Sequence, residues 1–150
     1  MARSFGARGQ ETGPMGTNRL GVAAVKMEVS PGEVVDRLTI LELKIERIAD
    51  PEKRRHVVRE YEIMSRTFAA ETDRSEELET LRAELKKVNT ALWQIEDEIR
   101  DHERRHDFGP EFVALARSVY RNNDRRAAIK RQINEHLGSV LIEEKSYSPY

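Results

Sequence analysis

His102 and His106 stand four residues apart in His102-Glu103-Arg104-Arg105-His106. That spacing sets two imidazoles on one helix face, where they can chelate zinc while Glu103 activates a bound water. The setting opposes such chemistry. Arg104 and Arg105 bring positive charge beside a dication, and Gly109-Pro110 ends the helix within about a turn. A third ligand would have to come from Glu111, Glu135 or His136, none of them at a signature spacing. The expectation is a solvated helix end, with no metal and no cofactor.

Arg117, Arg121, Arg125, Arg126, Lys130 and Arg131 gather in one later segment with only Asp124 among them. In chemical terms this is an anion site for phosphate, nucleotide or carboxylate, with Tyr120 and Asn123 as orienting donors. In structural terms it is the electrostatic partner of an earlier acidic stretch holding Glu96, Asp97, Glu98, Asp101 and Glu103. Trp93, the single tryptophan, either roofs a ligand pocket or widens a helix interface. The polar run Asn122 to Arg126 separates the two readings, because polar groups carried into a helical core cost free energy unless they are paired. Glu96, Asp97 and Arg100 can pair them and fix register. Alternatively Arg117, Tyr120, Asn123 and Arg126 converge on an open cleft beside Trp93 and take an anion, with Asp124 and Lys130 near by. No Gly-rich phosphate loop, Ser/His/Asp ordering or cysteine nucleophile is present, so no catalytic residue is assigned.

These residues need elements to hold them, and the strongest runs from Leu78 to His102. Leu78, Leu81, Leu85, Val88, Leu92, Ile95 and Ile99 recur at alternating spacings of three and four, an a/d seam that asks for a partner helix along its length. Asp73 with Glu76 can cap its start, and Phe108-Gly109-Pro110 stops it. Ahead of it, Ser30-Pro31-Gly32-Glu33 reads as a capping box opening a helix whose apolar surface (Val34, Leu38, Leu41, Ile45, Ile48, with Ile40 and Leu43) is wide enough for two neighbours. Asp50-Pro51-Glu52 repeats the signal for a second helix with Val57, Tyr61, Met64 and Phe68. After Pro110 a fourth segment carries Phe112, Leu115 and Val119, falters at the asparagines, resumes with Ile129 and Ile133, and meets a C′ glycine at Gly138. Val25 to Val29 and Val140 to Ile142 could form a short two-stranded pairing of the terminal segments.

In 150 residues, charged side chains make up 35% and aromatics 6%, which spreads apolar content along stripes. A net charge of -1 argues against nucleic acid as a partner. The absence of cysteine suits a reducing cytoplasm, and no apolar run is long enough for membrane insertion. Residues 1–26, with five of the eight glycines and no periodicity, are expected to be disordered, and 27–150 to form a single helical domain with a short polar tail.

Three segments together resemble a family of small uncharacterised bacterial proteins, a domain of unknown function. They are Val29-Ser30-Pro31-Gly32-Glu33 running into Leu38 to Ile48; Val88-Asn89 with Leu92 to Asp97; and Leu115 to Tyr120 through Asn123-Asp124 to Glu143-Glu144-Lys145-Ser146-Tyr147. The resemblance covers 27–147 and implies at most an accessory role near glycosyltransferase or surface-polysaccharide systems. A fainter likeness, to helical chorismate mutases, rests on Asp50 to Arg54. The expected architecture is all-α: an antiparallel helical bundle or hairpin array around one long heptad-patterned helix. The expected function is a non-catalytic interaction or scaffold protein that self-associates as a homodimer or binds a protein partner. The alternative is a protein, or an enzyme, that takes an anionic ligand through its arginine-rich fourth helix.

Overall fold

The computed structural model describes residues 25–150, and most of the segment expected to be disordered lies outside the described residues. Four helices follow in order: α1 (Pro31–Arg47), α2 (Pro51–Glu71), α3 (Glu76–Arg105) and α4 (Pro110–His136). Their starts are chemically explicit. Ser30 and Asp50 each cap a helix that has proline at its first position, accepting the Glu33 and Lys53 amides. Ser75, one residue before the expected box could close, caps α3 through the Leu78 amide. The capping box at α1 is half made, because the Glu33 carboxylate turns away to Lys130.

The helices form two antiparallel hairpins, α1–α2 and α3–α4, joined by α1, which packs on all three of the others. Val35 of α1 meets Leu78, Leu81, Leu85, Val88 and Leu92 of α3, with Ile129 and Ile133 of α4. Thus the a/d seam is the α3 side of the core, but only as far as Leu92. From there to the turn and back to Ile129, the only buried side chain of α3 and α4 is His102. α2 contributes no buried residue at all. Its backbone approaches α1 alone, while Tyr61 and Phe68 reach across to α3 and the core.

α4 runs unbroken through the asparagines, so the polar run is carried into the fold. Gly138 takes φ 65° just past its end, and the Ser139 amide reaches back to the Asn134 carbonyl. The expected strand pairing does not form. No strand occurs among the described residues; Val25, Met27 and Val140 are strongly exposed, and two short strands with no face to cover gain too little to persist. Residues 143–150 lie along α4 instead, tied by Glu143 to Lys130, Glu144 to Arg131 and Lys145 to Asp124. No described helix is long and apolar enough to cross a membrane.

Candidate functional site

Where α1 ends against the α3–α4 hairpin, the three helices leave a cleft of about 580 Å³. Its apolar wall is Ile40 and Leu43 of α1, Leu92 of α3 and Val119 of α4. α3 supplies Asn89, Trp93, Glu96, Asp97 and Arg100, and α4 supplies Asn123 and Arg126. Six of the ten residues singled out from the sequence therefore meet here: Trp93, Glu96, Asp97, Arg100, Asn123 and Arg126.

The cleft is organised from behind by a buried polar chain. Thr39 Oγ1 donates to the Asp36 carbonyl at 2.8 Å, which leaves its lone pairs toward α3. Asn89 then donates both amide hydrogens, to Asp36 Oδ1 at 2.8 Å and to Thr39 Oγ1 at 2.9 Å. With Nδ2 committed, Oδ1 must face the other way, and there it accepts Arg126 Nη1 at 3.4 Å. A guanidinium has five N–H donors, and this long contact is the single hydrogen bond that the Arg126 side chain makes among the described residues. It meets no carboxylate among the described residues. Glu96 is engaged by Arg100 one turn along its own helix, and Arg47 covers one face of Trp93 at 5.6 Å.

The remaining four candidates point elsewhere. Lys130 is buried at the start of α1, 2.6 Å from Glu33 and 3.2 Å from Glu143. Burial pushes its pKa down, but the two carboxylates outweigh that and hold it above the ordinary lysine range. Asp124 binds Lys145, and Lys145 with Tyr150 holds its carboxyl below the usual value. Tyr120 packs on Tyr150, with ring centres 4.7 Å apart. Arg117 is exposed and sits on the opposite side of α4 from Arg126, since nine residues make two and a half turns. No ion pair joins the acids of 96–103 to the arginines of 117–126 among the described residues; an antiparallel pair with its apolar seam inside leaves both charge sets on outer edges.

The histidine pair is also taken apart. His106 caps α3 in the left-handed region at φ 53°, so it has left the helix face on which His102 lies. His102 is buried, with Nδ1 3.1 Å from the Asp107 carbonyl and its ring edge-on to Phe112. No group of three or more metal-binding side chains occurs among the described residues. Asp50 and Arg54 serve the α1–α2 turn, where Arg54 donates to the Ile45 carbonyl.

Asp36, Thr39 and Asn89 are not among the site candidates that the sequence offers, although a signal for Asn89 was there. Asn89, Trp93, Glu96 and Arg100 repeat at four, three and four, one residue past the apolar seam. A family model matches residues 25–150, every residue the structure describes. The chain belongs to DUF6165, a family of unknown function. No curated protein and no solved structure matches it.

Proposed function

We propose that this protein is a helical interaction module that self-associates through the outer half of its α3–α4 hairpin. The observation that carries the reading is the end of the core at Leu92: beyond it α1 reaches only the cleft side of the hairpin, and His102 is the one buried side chain of α3 and α4 before Ile129. Ile95, Ile99, Phe112 and Leu115 are only half-buried there, and Phe108 and Val113 are about half exposed, at 50% and 51%. Apolar surface arranged in this way calls for a partner. A second copy suits it by charge. Glu98, on the side of α3 away from the cleft, and Arg117, Arg121 and Arg125, along one edge of α4, are exposed and make no ion pairs among the described residues. A two-fold axis sets Glu98 of each copy against the partner's basic edge while four helices close a bundle. The sequence resemblance adds an accessory role beside surface-polysaccharide or glycosyltransferase systems to this proposal.

Sedimentation equilibrium of the full chain tests it. The expected result is twice the 17.4 kDa chain mass at micromolar concentration, reverting to the chain mass in Ile99→Glu and in Leu115→Glu with helicity retained. A wild-type monomer at about 100 μM, far above the Kd of an ordinary stable homodimer, would overturn it.

A further inference from the structure

We propose that the cleft between α1, α3 and α4 is a binding site for one compact oxyanion, a phosphate or carboxylate, held by the Arg126 guanidinium with the Asn123 amide beside it. Cations withdrawn from water are normally paired, and among the described residues the part-buried Arg82 and Lys86 and the buried Lys130 are. Lys130 has two carboxylates, and the half-buried Arg82 has Glu42 and the Tyr61 hydroxyl. Arg126, also part-buried, has one neutral amide oxygen at the long distance of 3.4 Å. Acidic side chains outnumber Lys and Arg in this chain by 27 to 26, so the omission is not a shortage of acids. Glu96 and Asp97 line the same cleft, and Glu96 is spent on Arg100.

The Asp36–Thr39–Asn89 chain explains how Arg126 is kept in place without being neutralised. Asn89 presents an oxygen whose orientation is fixed by both of its donated hydrogens, and that oxygen takes one of the five guanidinium N–H groups. The other four remain for a ligand. A carboxylate or phosphate matches a guanidinium edge with two parallel charge-assisted bonds, and removal from bulk water strengthens them. The acidic rim of Glu96 and Asp97 repels a polyanion, which limits the site to a single small group. Ile40, Leu43, Leu92 and Val119 supply the dry wall, and Trp93 stands at the ligand.

Trp93 is the only tryptophan, so its fluorescence reports from this cleft alone. The full chain is titrated with inorganic phosphate and, separately, with succinate, at ionic strength held constant with sodium chloride; the two arms decide between phosphate and carboxylate. Thermal shift in the same solutions gives a second reading that does not depend on Trp93. The expected result is a saturable response to at least one anion, with affinity lowered about tenfold or more in Arg126→Met, a loss of at least one charge-assisted bond. Asn123→Leu is expected to weaken binding as well, and Arg117→Met, outside the cleft, to leave it unchanged. If Arg126→Met fails to fold, Asn123→Leu decides. Absence of any response up to about 10 mM of either anion, ten times the Kd of a weak 1 mM site, overturns the proposal. Equal affinity in the cleft variants and wild type overturns it too.

Discussion

Arg126 and Lys130 stand one turn apart on α4, and the chain treats them in opposite ways. Lys130 is buried where α1 begins, and both carboxylates that meet it come from outside its own helix: Glu33 from α1 and Glu143 from the C-terminal segment. The same junction is tight. The Gly32 amide donates to Asn134 Oδ1 at 2.7 Å, and a β-carbon on Gly32 would lie 2.4 Å from the Lys130 carbonyl oxygen. Arg126 looks out on open space with a neutral amide behind it. One cation is a fastening whose acids come from elements that must be held together, and the other has been oriented but not neutralised. Burial and positive charge alone therefore do not mark a site; what distinguishes one is which partners the fold withholds.

Mutations at the two positions sharpen this contrast. Gly32→Ala is expected to cost the most, about 3 kcal/mol in urea unfolding, because backbone and a buried amide must both yield to the added carbon. A loss below about 0.5 kcal/mol would show that the helices do not approach so closely. Asn134→Leu follows at about 2 kcal/mol, since it strands the Gly32 N–H in a dry interface. Lys130→Met is expected to cost about 1 kcal/mol, and Arg126→Met less than about 0.5 kcal/mol, because the first breaks a double ion pair and the second removes a charge that has no ionic partner. If the two substitutions cost the same, the comparison fails.

The smallest effect is a pH dependence on the paired side of the comparison. Burial raises the Glu42 carboxyl, but Arg82 and Lys86 outweigh it and hold the pKa below its ordinary 4.5. A lowered folded-state pKa contributes stability that is fully present above 4.5 and is lost as pH falls through the folded value. Melting temperature should thus decline more steeply below pH 4.5 in wild type than in Glu42→Gln. Equal slopes would mean that this ion pair adds nothing.

Most of the fold was legible because it is written in spacing and caps. Ser30, Asp50 and Gly138 mark helix ends by their own chemistry, and the three-four recurrence from Leu78 to Leu92 is the α3 side of the core. The cleft was legible in part. Trp93, Glu96, Asp97 and Arg100 share a helix face by arithmetic, as do Asn123 and Arg126, but nothing in one helix says which neighbour it will face. Asp36 and Thr39 escaped notice, and Asn89 entered only as part of a resemblance, because periodicity counts apolar residues and passes over a polar one set between Val35 and Leu38, between Leu38 and Leu41 or beside Val88. Lys130 was grouped with the arginines by composition, although only the path of residues 143–150 and of α1 reveals its acids.

α2 spans 21 residues, yet its backbone approaches α1 alone and it buries no side chain completely. In the time domain this makes it the weakest unit of the molecule. Lifting it away uncovers one flank of α1 and withdraws Phe68 from the rim of the core, but Val35, Leu85 and Ile133 belong to the other three helices and stay packed on one another, so the α2 amide protons can reach solvent without global unfolding. Hydrogen exchange should divide the chain in two, with α2 amides exchanging through this partial opening and those around Leu85 only when everything opens. A helix of six turns can thus come and go while the rest of the molecule keeps its shape.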